Sequence, residues 1–189
     1  MTRLALVLLL LAAPAQAAED FYRVEGPSVS ITQAPVAPGA LDRLFERLRA
    51  APDPAAAKRI ANGIWKLWLR APDERAASRM NRNIKYRGYG EYWDSMDQIG
   101  HVIRRFPDYP EAWNQRAILH YLQRDHEASI RDCERALKLE PRHFGCMSGI
   151  ARIHLERGAR DEARRWLGRA REVYPLIAIP GLDLPRLDL

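Results

Sequence analysis

Three prolines, Pro107, Pro141 and Pro175, stand 34 residues apart, and the residues between them repeat in kind. Trp113 and Met147 open the second and third copies at one offset, and the pairs Ala117/Ala151, His120/His154 and Ala136/Ala170 share it. Within each copy the apolar positions follow helical spacing, interrupted once by a short turn. A unit of this size and content cannot bury its own apolar face. It must stack on a neighbour, so the chain is read as an array of helix pairs rather than one central core.

The array fills the chain from about residue 41 onward. In 41–72, Leu41, Leu44, Phe45 and Leu48 share one helix face. Asp53 and Pro54 then supply a cap and a first-turn proline for a second helix that carries Trp65 and Trp68. Two repeat periods back from the central copy, Phe45 falls in register with Trp113, Ala61 with Ser129 and Trp65 with Cys133, so this stretch reads as a degenerate repeat. Trp65 and Trp68 are read as packing between helices. Residues 75–109, 110–143 and 144–175 form three further repeats, with turns at Gly88-Tyr89-Gly90 and at Gly158. Residues 176–189, PLIAIPGLDLPRLDL with its preceding proline, cannot be helical. They are too apolar for a free tail. Leu176, Ile177, Ile179 and Leu182 are expected to fold back over the last pair or to pack on another molecule.

The N-terminus has a different character. Arg3, the leucine-rich run Leu4 to Ala13 and Ala15-Gln16-Ala17 read as a signal peptide over 1–17, cut after Ala17. The run is short for a span, which needs about 20 residues. Export follows, to the periplasm in a two-membrane cell; an uncleaved anchor is the other reading. Residues 18–40, with three prolines and two glycines, are an irregular linker.

The central pattern W-x2-R-A-x2-H, then S-x3-C-x2-A and Pro141, resembles the tetratricopeptide repeat. The following copy, with Ile150-Ala151, His154, Gly158, Ala163, Leu167, Ala170 and Pro175, is similar again. The resemblance implies an all-α fold, an α-solenoid of about three to four TPR-like repeats. It also implies that the first helix of each pair faces a concave groove. That places Met80, Ile84 and Arg87, then Asn114, Ile118 and Tyr121, then Ser148, Arg152 and Leu155 toward a protein or peptide partner. The set lacks the array of lysines and asparagines with which some relatives clamp a C-terminal carboxylate. Three departures from the family pattern stand out. Arg116 replaces a leucine and should reach a carboxylate or solvent. Asn83 and Ser95 stand at small-residue positions, which predicts looser packing in that copy.

Catalytic and metal chemistry leave no motif: there is no phosphate loop, nucleophile elbow, His/Asp triad pattern or ligand spacing. The carboxylates fit helix surfaces and caps, and His101, His126 and His143 are scattered. No cofactor, no metal and no enzyme activity are expected. Cys133 and Cys146 could pair in an oxidising compartment or serve as small buried hydrophobes. Net charge is +6, and 26 of the 30 basic residues are arginine. The arginines are interspersed with acids, so nucleic acid and membrane surfaces are disfavoured as partners. The alternative function is an anion-binding face on the last helix, Arg160, Arg164, Arg165, Arg169 and Arg171, for lipid, nucleic acid or glycan. Self-association through the tail is a third possibility.

Overall fold

The computed structural model describes residues 37–182; the expected signal peptide and all but the end of the linker lie outside them. Those residues form eight α-helices and no strand: α1 (Ala40–Arg49), α2 (Pro54–Trp68), α3 (Glu74–Gly88), α4 (Tyr92–Arg105), α5 (Pro110–Leu122), α6 (His126–Leu139), α7 (Phe144–Glu156) and α8 (Arg160–Val173). None of them is long and apolar enough to cross a membrane.

The period in the sequence is a period of turns. Inside each repeat the first helix ends with one residue at positive φ: Gly90 at 76°, Arg124 at 64° and Gly158 at 75°. The next residue reaches back to the helix, with the N–H groups of Glu91, Asp125 and Ala159 each donating at 2.9 Å to the carbonyls of Tyr86, His120 and His154. This is the six-to-one bond of a Schellman turn, which satisfies the last helical carbonyls. Between repeats the prolines act. Phe106, Glu140 and Tyr174 leave the helix with ψ of 70°, 92° and 84°, out of the α region that a following proline disfavours. Their carbonyls accept from Tyr109, His143 and Ile177 at 3.0–3.1 Å, which puts each proline at the second position of a tight turn.

Within a repeat the two helices cross where side chains are small or mutually satisfied. Ala151 meets Ala163 in register, both fully buried. In the central pair the Ser129 hydroxyl donates to the carbonyl of Ala117 at 2.8 Å. At the same register Asn83 donates to the carbonyl and hydroxyl oxygens of Ser95 at 3.0 and 2.9 Å, and Ser95 donates back to the Asn83 carbonyl. Both are fully buried, so the looser packing expected there is not found: the larger residue is accommodated because its polar atoms bond the facing helix. Arg116 finds its carboxylate, donating from Nε and Nη2 to the two oxygens of Asp132, each at 2.7 Å.

The hairpin α1–α2 departs from an array's nearest-neighbour packing. α1 packs on the last helix, α8. Arg142 donates to Asp42 at 2.6 Å across a separation of one hundred residues, and its guanidinium lies over the Phe45 ring. Phe45, Trp65 and Trp68 all pack edge-on or tilted against Phe144 at the start of α7. Trp65 is too large for the close crossing that its register partner Cys133 occupies, so the hairpin turns its aromatic face to the far repeat. At the other end Ile177, Ile179 and Leu182 are buried in the same cluster, while Leu176 is 38% exposed and takes no part in it. Arg171 and Arg160 hold this return by donating to the carbonyls of Ile177 and Gly181.

Arg124 is the one non-glycine residue at positive φ among the described residues. A left-handed residue with a Cβ costs about 1–2 kcal/mol, of which the freer unfolded chain of glycine returns part. Arg124→Gly is therefore expected to raise stability by roughly 0.5–1 kcal/mol in urea denaturation.

Candidate functional site

The first helices of the three repeats, α3, α5 and α7, carry a grid of nine residues in three rows, each row spaced by the repeat period. The rows are Met80, Asn114 and Ser148; Ile84, Ile118 and Arg152; and Arg87, Tyr121 and Leu155. They fare differently. The first row is closed. Met80 is fully buried in an apolar cluster with Ile99, Val102 and Leu119. Asn114 is consumed by a polar network, and Ser148 donates to the Gly145 carbonyl at 3.0 Å. These three do not line an open surface, contrary to the expectation for them.

The network beneath that row is centred on Glu111, in the first turn of α5. Its carboxylate is fully buried, as is His143, which corrects the reading of the carboxylates as surface and cap groups. Gln115 donates to Glu111 Oε1 at 2.5 Å, and Asn114 bonds both oxygens at 3.2 and 3.3 Å. The N–H of Cys146 donates to His143 Nδ1 at 3.2 Å, which leaves His143 Nε2 to donate to Glu111 Oε2 at 3.1 Å. The carboxylate thus receives four bonds, and the positive end of the α5 dipole lies beside it. Arg87 donates to Gln115 from outside. Cys133 and Cys146 are buried free thiols. Burial raises the Cys146 thiol well above its usual range, so it stays protonated and donates to Asn114 Oδ1.

The N-terminal hairpin roofs this network. Trp68 stacks on His143 at 4.1 Å with the rings within 7° of parallel. The Trp68 carbonyl accepts from the Tyr109 hydroxyl at 3.0 Å. Trp65 stands over Gly145, where a Cβ would come within 2.7 Å of ring atom Cζ2. Nothing in the repeat pattern points to this contact: Glu111 and His143 are 32 residues apart and off the repeat register.

The second and third rows form the candidate surface. Ile84, Arg87 and Leu155 are half-buried, and Ile118, Tyr121 and Arg152 are buried. Tyr121 donates to Glu156, and burial together with that bond pushes its hydroxyl far above the ordinary tyrosine range. It therefore remains a donor at all physiological pH. Among the described residues no group of three or more metal-ligating side chains assembles. Ile84, Arg87 and Leu155 are the members of these rows that remain part-exposed, and the Tyr121 phenol and the Arg87 guanidinium are already engaged by Glu156 and Gln115.

Gly145→Ala is expected to force Trp65 away and to destabilise the fold by about 1–3 kcal/mol. The same substitution made with Trp65→Ala should cost much less, and the double-mutant cycle in urea denaturation measures the difference.

Two comparisons bear on this arrangement. The family model described as tetratricopeptide repeat matches residues 110–143. A TPR repeat-containing protein of Rhizobium etli is 31% identical over 166 residues, which cover 86% of this chain and 78% of the relative. With its three turn-matched helix pairs and this relationship, the chain belongs to the tetratricopeptide repeat family.

Proposed function

We propose that this protein is an exported adaptor that binds a polypeptide across the second and third residue rows of α3, α5 and α7. The observation that carries the reading is the register of those rows. Six residues of mixed apolar, phenolic and guanidinium character recur at one repeat period on three consecutive helices. Repeats of this family generally bind other proteins, and a stacked array holds such a surface preformed, so little ordering entropy is lost on association. Export rests on Arg3, the Leu4 to Ala13 run and Ala15-Gln16-Ala17. The mature chain isolated from its source should begin at Ala18, which mass spectrometry of the intact protein reads directly.

The anion-binding alternative is less well supported. Arg164 and Arg165 pair with Asp161 and Glu162 one turn away. Arg160 and Arg171 hold the tail carbonyls, and Arg169 lies over the Trp166 ring at 4.2 Å. Each guanidinium of that helix is already engaged, within its own repeat or with the tail that follows it.

The test is retention of polypeptides from the exported fraction on immobilised mature protein at low and high salt. Retention that persists at high salt supports the groove. Tyr121→Ala with Arg152→Ala should weaken it about ten-fold, with helicity by circular dichroism unchanged. Retention only at low salt, of lipid or nucleic acid, would move the function to the arginine face.

A further inference from the structure

We infer that residues 65–71, Trp-Lys-Leu-Trp-Leu-Arg-Ala, are a ligand held in cis, in a seat that accepts a partner's helix end carrying two aromatic rings three residues apart. The partner binds by taking the place of this segment. The inference concerns the closed end of α3, α5 and α7 and does not depend on the second and third rows being a site.

The segment crosses the repeats as a bound polypeptide does. One turn before the first row, α3, α5 and α7 carry Ala77, Glu111 and Gly145, again one repeat period apart. Trp65 stands over Gly145, and Trp68 stacks on His143 at the head of α7. The Trp68 carbonyl accepts from Tyr109, which leads into α5. Leu69 and Ala71 are buried in one cluster with Ala77 and Met80 of α3. Residues 65–71 thus visit the third, second and first repeats in turn, against the order of the chain. Packing between sequence neighbours alone would have kept α2 on the first repeat.

The seat states the chemistry of its occupant. Gly145 is the member of its row without a side chain, and the Trp65 indole fills that notch, edge-on to His143 at 5.5 Å and to Phe144 at 5.6 Å. Residues three apart share a helix face, so Trp65 and Trp68 enter together. Glu111 is buried beneath them and stays out of water only while a cover is in place. A replacement must therefore bring one flat ring for His143 and one for the notch, as aromatic anchors do when a helix docks in a groove. The cis fit can be improved on: the Trp68 Nε1–H is buried and has no acceptor. A phenylalanine at that place buries no donor.

A tethered segment competes at an effective concentration on the order of 1 mM, so a free peptide gains the seat when cis binding is weakened. The experiment uses the full mature chain and a fluorescent peptide of residues 54–71 carrying Trp68→Phe, with binding followed by anisotropy. In the protein, Trp65→Ala empties the notch and leaves the rest of the seat in place. The peptide is expected to bind this variant about ten-fold more tightly than wild type. Adding Gly145→Ala fills the emptied notch and is expected to abolish the gain. Asp42→Arg loosens the hairpin from outside by breaking its pair with Arg142, and should tighten peptide binding with every seat residue native. A peptide that keeps Trp68 should bind more weakly than the Trp68→Phe peptide. Equal binding to wild type and both loosened variants, or binding to none of them, overturns the inference. So does a gain in Trp65→Ala that survives Gly145→Ala.

Discussion

A fully buried carboxylate, Glu111, dictates how the two ends of this chain come together. An ionised carboxylate taken out of water costs several kcal/mol, which only a complete set of donors offsets. Here the donors come from both inner helices of the last two repeats: Asn114 and Gln115 on α5, and His143 at the head of α7. The spacing of α5 from α7 is therefore fixed to within hydrogen-bond tolerance. Water must also be kept out. The roof is Trp65 and Trp68, carried in by α2 and seated on Gly145 and His143. The polar centre thus needs the N-terminal hairpin, and the hairpin's aromatic face needs the polar centre's flat imidazole.

That dependence changes how the array behaves. Repeats that touch only their neighbours unfold piecemeal, with stability close to a sum of local terms. In this chain α1 packs on α8, Asp42 pairs with Arg142, and Phe45, Phe144 and Tyr174 share one aromatic cluster. The first and last elements are in contact, so neither end can fray without exposing the other. The tail completes the closure where an array ordinarily places a polar capping helix. Ile177, Ile179 and Leu182 join the cluster that holds Ala163, Leu167 and Ala170 of the final helix.

What the sequence revealed and what it hid divide along the same line. Much of what lies on the repeat period was legible: the helix pairs, the turn glycines, the prolines, the small crossing residues, even the need of Arg116 for an acid. Period is a local property, and each copy restates it. The contacts that make the chain one body carry no period. Glu111 looks like an ordinary first-turn acid, His143 like one more residue after a proline, and Gly145 like a weak helix former. Only the fold shows that Gly145 is small because an indole lies on it. The same limit applies to the surface. Register placed nine residues on one face, but register could not tell that the first row is sealed by packing beneath the hairpin. Asn83 and Ser95 were misjudged for a related reason: side-chain volume was weighed without the hydrogen bonds that let the larger pair fit.

The arginine content finds its explanation in junctions. Arg105 pairs with Asp73 across α3 and α4, Arg116 with Asp132 across α5 and α6, Arg157 with Glu127 from α7 to α6, and Arg142 with Asp42 from the far repeat to α1. The exposed pairs among them, all but the part-buried Arg116–Asp132, are each worth about 0–1 kcal/mol, so they do not hold the fold together. They do something else: a planar, five-donor group at each junction favours one register of neighbouring elements over a slipped one. Arginine spent in this way is unavailable as a free basic field, which is why a net charge of +6 does not translate into an anion-binding face. Arg87 follows the same rule, donating to Gln115 from α3 to α5. Positive charge at these junctions thus serves to fix the register of neighbouring helices rather than to present a basic field.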